Sequence, residues 1–133
     1  MGVKLTKQAI DLGIVTANGE AALGFYRDLL GFRHEADTPF PGGGTMHRLW
    51  CGESLIKVVV PAKAPDAKPA GGGIPAAQGY RYWTMTVSNL SELMAELKAA
   101  GVKVVIDERE IRPGVSIAIV EDPDGNLVEF LKT

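Results

Sequence analysis

Short runs of apolar residues, broken by glycine and proline, follow one another in the same order twice along the chain. Residues 8–16 (QAIDLGIVT) are apolar, β-branched and few, which predicts a strand. Asn18 then stands as a helix N-cap with Glu20 in the first turn. Ala21 to Leu30 are mostly helix formers, and Gly31 supplies the left-handed residue that ends a helix. A strand from Phe32 to about Asp37 comes next, and Pro39, Pro41 and Gly42 to Gly44 make a turn. Met46 to Cys51 and Leu55 to Val60 predict two further strands across a tight Gly52-Glu53 connection.

Residues 61–79 (PAKAPDAKPAGGGIPAAQG) carry little that forms a core, and predict a linker or mobile cover. The pattern then restarts. Tyr80 to Val87 predicts a strand, and Ser88 or Asn89 an N-cap. Leu90, Leu93, Met94 and Leu97 have helical spacing up to Gly101. Val102 to Ile106, Val115 to Val120 and Leu127 to Leu131 predict three strands. LGFYRDLLGFR (Leu23 to Arg33) lies over LMAELKAAGVK (Leu93 to Lys103) at a constant offset, with Gly31 over Gly101. The chain therefore contains a duplicated β-α-β-β-β unit, and each unit leaves one sheet face to be covered.

At 133 residues the chain is expected to be a single domain, with modules at about 8–60 and 80–131 joined by the loop 61–79. A net charge of −2 argues against nucleic-acid and anionic-membrane partners, and no run approaches a membrane span. A lone cysteine, Cys51, forms no internal disulfide and fits a reducing cytoplasm, where it acts as a small hydrophobe rather than a nucleophile. The anomaly is Glu129, a carboxylate in the middle of the last apolar run: it faces either water or a cleft that needs negative charge.

Three stretches, IDLGIVTANGEAALGFYRDLLGF (Ile10 to Phe32), the helix and glycine of LMAELKAAGVKV, and EDPDGNLVEF (Glu121 to Phe130), resemble the vicinal oxygen chelate superfamily. That family includes glyoxalase I, methylmalonyl-CoA epimerase, extradiol dioxygenases and bleomycin- and fosfomycin-resistance proteins. The resemblance implies an α+β fold of two tandem βαβββ modules, with curved mixed sheets around a cleft. It also implies a small-molecule ligand and a homodimer, but it does not fix the chemistry, because one fold hosts many activities.

In the metal-dependent members four inward side chains leave a metal open to two neighbouring substrate oxygens. The resemblance carries those positions to Asp11, Lys57, Tyr82 and Glu129, of which only Glu129 is the usual residue type. An ammonium repels a cation at close range, so Lys57 is expected to replace the metal and to pair with Glu129 and Asp11, with Tyr82 hydrogen-bonding beside them. The alternative is a divalent metal ion held by Asp11 and Glu129. His47, Arg112 and Trp50 are the candidate substrate contacts, with Trp50 lining an apolar pocket and Arg112 near the cleft mouth; Arg81 and Lys103 are weaker anion-binding candidates.

Two functions follow. One is a glyoxalase- or epimerase-like lyase or isomerase that moves a proton next to a carbonyl, with Lys57 or Tyr82 stabilising the enolate and Glu129 or Asp11 as base. The other is a protein of the bleomycin-resistance kind that sequesters its ligand unchanged.

Overall fold

Each half of the chain builds a four-stranded mixed sheet with a helix between its first two strands. The computed structural model describes residues 1–133. It divides into two units, Met1–Asp66 and Ala67–Thr133, each with its own strands.

The first unit runs β1 (Leu12–Val15), α1 (Gly19–Leu23), a π-helical turn (Gly24–Leu29), β2 (Arg33–Pro39), β3 (Gly44–Cys51) and β4 (Ser54–Pro61). The second runs through a short 3-10 turn (Ile74–Ala76), then β5 (Tyr82–Thr86), α2 (Leu90–Ala99), β6 (Val104–Arg112), β7 (Val115–Glu121) and β8 (Leu127–Lys132). The sheets are ordered β1-β4-β3-β2 and β5-β8-β7-β6, so the duplication seen in the sequence is a duplication of topology. In each, the first strand runs parallel to the last and the remaining pairs are antiparallel. Gly31 and Gly101 both take positive φ, 78° and 81°, at the matching helix ends.

The register assigns faces in the first sheet. Leu12, Ile14, Ile56, Val58, His47 and Leu49 share one face, since directly paired residues point the same way. That face packs on α1, where a Cβ at Gly19 would stand 2.9 Å from Val60 Cγ2 and 3.3 Å from His47 Nε2. Gly13, Lys57 and Arg48 share the opposite face. In the second sheet Val128, Phe130, Ala118 and Val120 are wholly buried on one face. Leu90, Leu93, Met94 and Leu97 of α2 are buried with them, the stripe that the helical spacing predicts. Tyr82, Thr84, Leu127, Glu129, Ile117 and Ile119 occupy the other face. There Ile117, Ile119 and Leu127 form an apolar cluster against which Ile74, Ile106 and Leu131 pack.

Several elements differ from the sequence expectation. The first strand is shorter, because only Leu12–Val15 finds a partner in β4, and Asp11 stands just ahead of it. The helix expected through Leu30 widens after Leu23 into π geometry, closed by Leu30 N–H to Phe25 O at 2.9 Å. The wider turn lets the adjacent Phe25 and Tyr26 both point inward, 3% and 0% exposed, with rings edge to face at 4.8 Å. The strand expected to end at Ile106 continues to Arg112 through the charged run 107–110, because pairing with β7 satisfies its backbone while its side chains remain in water. Residues 67–79 belong to the second unit. The Arg81 guanidinium donates to Ile74 O (3.0 Å), Ala70 O (3.2 Å) and Gly73 O, so this part of the loop is pinned, and Arg81 is spent as its anchor rather than as an anion receptor.

Candidate functional site

The face of the first sheet opposite α1 carries an alternating chain of charges. Lys7 Nζ donates to Asp11 Oδ1 at 2.6 Å, and Lys57 Nζ stands 3.4 Å from Asp11 Oδ2. Lys57 reaches this position because it lies between Ile56 and Val58, which the strand period turns toward α1. Lys57 and Asp11 are each about one-third exposed, 34% and 33%. The hydrogen bond from Lys7, and secondarily Lys57, holds the Asp11 carboxyl below its ordinary range.

Arg48, directly opposite Lys57 on β3, donates to Glu35 Oε2 at 2.9 Å, and Trp50 Nε1 donates to Glu35 Oε1 at 3.0 Å. Glu35 is held below its ordinary range by Arg48 first and then by Trp50. Cations also border the indole: Lys7 Nζ is 5.3 Å and Arg33 Cζ 5.9 Å from the ring centre. Trp50 does line a recess, of ≈ 530 Å³, but the recess is shared with Lys7, Arg33 and Glu53 and is not apolar. The alternation on β3 turns Arg48 and Trp50 to the same side as Lys57, so the indole stands among charged side chains of both signs.

In the second unit Thr84, paired with Glu129 across β5 and β8, donates its hydroxyl to Glu129 Oε1 at 2.6 Å. This fixes the carboxylate beside the Ile117–Ile119–Leu127 cluster and leaves Oε2 as an acceptor. Tyr82 starts β5 on the same face and is 47% exposed. The turn ahead of β8 is organised by Asp122, whose Oδ1 accepts from Asp124 N and Asn126 N, both at 2.9 Å, and whose Oδ2 accepts from Asn126 Nδ2 at 2.8 Å. The Asp-Pro-Asp-Gly-Asn run is therefore a built turn that sets where Glu129 falls. Arg112 ends β6 exposed at the hairpin with β7. His47 lies on the α1 face, opposite to Lys57, with Nδ1 2.7 Å from Asp37 Oδ1. Of the expected site residues, the first module thus joins Asp11 and Lys57, and the second sets Tyr82 and Glu129 on one face.

The family model for the Glyoxalase/Bleomycin resistance protein/Dioxygenase superfamily matches residues 9–130. The chain belongs to this superfamily. Solved structures agree in fold. A glyoxalase family protein from Bacillus cereus superposes with a TM-score of 0.78 at 18% identity, over 98% of this chain and 95% of that one. One from Enterococcus faecalis gives 0.68 at 24% identity, over 96% of each. The trypanothione-dependent glyoxalase I of Leishmania major gives 0.73 at 20% identity, over 92% of this chain and 84% of that one. No curated protein matches the chain in sequence.

In the first unit the surroundings of Asp11 disfavour a divalent ion. Both oxygens of Asp11 face ammonium groups, Lys7 on Oδ1 and Lys57 on Oδ2. An incoming ion would have to displace Lys7 and lie against the Lys57 charge.

Sequence reasoning missed Lys7, Glu35 and Thr84. Lys7 carried a signal, a lysine four residues before an aspartate, but four-residue spacing brings side chains together only where the chain coils, and a strand was expected there. Thr84 was legible once β5 and β8 are paired as parallel neighbours, because it then stands opposite Glu129.

Proposed function

We propose that this protein binds a small carbonyl-bearing or enolisable molecule and moves a proton next to the carbonyl, with Lys57 in place of the metal used by other members of the superfamily. The observation that carries this reading is the Lys57 ammonium, held by Asp11 at 3.4 Å and one-third exposed, at what the resemblance implies is a ligand position. It is positioned, charged and reachable, which is what stabilisation of a developing enolate oxygen requires. Lys7 and Arg48 on the same module support an anionic or anion-forming ligand. Glu129 is the proposed base, since the Thr84 hydroxyl orients one of its oxygens and leaves the other to accept a proton. Asp11 and Tyr82 have positioning roles, Asp11 by fixing the ammonium. A homodimer is part of the same proposal, and sedimentation as a 14.2 kDa monomer at micromolar concentration would remove it.

A second reading is sequestration without reaction, since one fold of this superfamily hosts binders as well as enzymes. One experiment separates the two. Small α-hydroxy- and methyl-substituted carbonyl compounds are incubated with the protein in deuterated water with a chelator, and exchange at the carbon next to the carbonyl is followed by NMR. Proton transfer predicts exchange that falls at least about a hundredfold in Glu129→Gln and Lys57→Met. Ligand-induced thermal stabilisation without exchange assigns sequestration. Exchange that depends on added metal overturns the metal-independent reading.

A further inference from the structure

The chain has two histidines, and the first module sets both on one carboxylate. Asp37 Oδ1 accepts from His34 Nε2 at 2.6 Å and from His47 Nδ1 at 2.7 Å. The convergence is a product of the backbone. Residues three apart in a regular strand point to opposite faces, which would separate His34 from Asp37. Between His34 and Ala36, however, the register slips, so that His34 pairs with Leu49 and Asp37 with His47. Leu49 and His47 are two apart on β3 and share a face, so the bulge brings His34 and Asp37 onto it together. Glu35, the residue set aside, serves Arg48 and Trp50 instead.

We propose that His34, Asp37 and His47 form a binding site for a divalent transition metal ion, zinc by preference, on the α1 side of the first sheet and separate from the superfamily's ligand positions. One ligand atom from each residue lies within 4.8 Å of the others. Two imidazoles and a carboxylate form the donor set of open zinc sites, in which water fills the fourth position, and they suit magnesium or calcium poorly. Exposure fits that geometry: His47 and His34 are 14% and 24% exposed and form the closed side, while Asp37, at 48%, opens to solvent. Bonds of about 2.0–2.1 Å place neighbouring tetrahedral ligands roughly 3.3 Å apart, so the carboxylate needs to back away from each ring by ~0.6 Å and the ring nitrogens need to close from within 4.8 Å. A half-exposed aspartate does this by side-chain rotation, and each ring turns a lone pair to the ion by moving its proton to the other nitrogen. The nearby Arg27 guanidinium is engaged by Asp28 at 2.8 Å and does not occupy the site.

The test uses the full chain without a polyhistidine tag, titrated with zinc chloride by calorimetry and with cobalt(II) by visible absorption. One ion per chain is expected at micromolar affinity or tighter, with the absorption of a four-coordinate nitrogen–oxygen site. His34→Gln and His47→Gln each weaken binding by at least about tenfold, whereas Asp11→Asn with Glu129→Gln leaves it unchanged. The two histidine ring signals of the unaltered protein are followed by NMR during the titration, so the answer does not depend on a variant that folds. Both signals shifting together supports the site. Neither shifting at saturating zinc, no binding at millimolar zinc, or loss of binding in the Asp11/Glu129 variant alone overturns it.

Discussion

Replacing Lys57 by methionine removes an ammonium from a sheet while keeping the length of its stem. Were the charge buried, its loss would strand the Asp11 carboxylate at a cost of about 3–5 kcal/mol. The geometry argues for much less. The pair is separated by 3.4 Å and each side chain is about one-third exposed, so solvent screens it, and two unit charges at that distance in water attract by only about 1 kcal/mol. Exposed pairs contribute about 0.2–1 kcal/mol. Asp11 also keeps Lys7 at 2.6 Å on its other oxygen, so no carboxylate is left alone. Relief of the like-charge repulsion between Lys57 and Arg48, directly opposite on β3, offsets part of the cost. Lys57→Met is therefore expected to destabilise by no more than about 1 kcal/mol, roughly 4 °C in Tm for a chain of this size. Urea unfolding at neutral pH measures it. Since Asp11 titrates lower when folded, the stability it contributes is fully present above the ordinary aspartate range and is lost as pH falls through its folded value. The acid limb persists in Lys57→Met, because Lys7 is the larger cause. A loss above about 3 kcal/mol refutes the picture and marks the ammonium as dehydrated.

Gly44→Ala is expected to cost several times more than Lys57→Met, on the order of 3 kcal/mol, because φ is +106° and the new Cβ would meet Ala62 N and Pro61 Cα, both at 2.8 Å; thermal unfolding reads the cost. Arg81→Met removes the donors that hold Ala70, Gly73 and Ile74, so limited proteolysis should cut within residues 67–79 while α2 and its sheet persist, at a cost of roughly 1–3 kcal/mol.

What could be read in the sequence was what repeats. Gly31 over Gly101, and the leucines ahead of them, gave the two modules because backbone chirality and helical spacing leave local marks. Asp11, Lys57, Tyr82 and Glu129 were singled out by the resemblance, each at a fixed distance from such a mark, and the structure sets Lys57 beside Asp11 and Tyr82 on the face of Glu129. Facing was not. One extra residue at Glu35 reverses the side of everything beyond it in β2, and no local signal announces a bulge, so His34, Asp37 and His47 did not present themselves as a group. The widened turn at Gly24 and the role of Arg81 also depend on distant partners, the core aromatics in one case and loop carbonyls in the other.

The pairing of first strand with last sets the order in which each module can be made. Leu12 finds no sheet partner until Ile56 has been synthesised, and Tyr82 waits in the same way for Leu127. In each module the last strand is interior, lying between the first strand and the third. During translation the nascent module therefore holds a hairpin and an unsupported helix, and closes in one step when its final strand arrives. Closing a loop of some forty residues costs roughly 3 kcal/mol of chain entropy before any ladder bond repays it. Because no strand is borrowed across the boundary at Asp66, that cost is met twice in succession rather than once for the whole chain. The first module can be finished while the second is still being made.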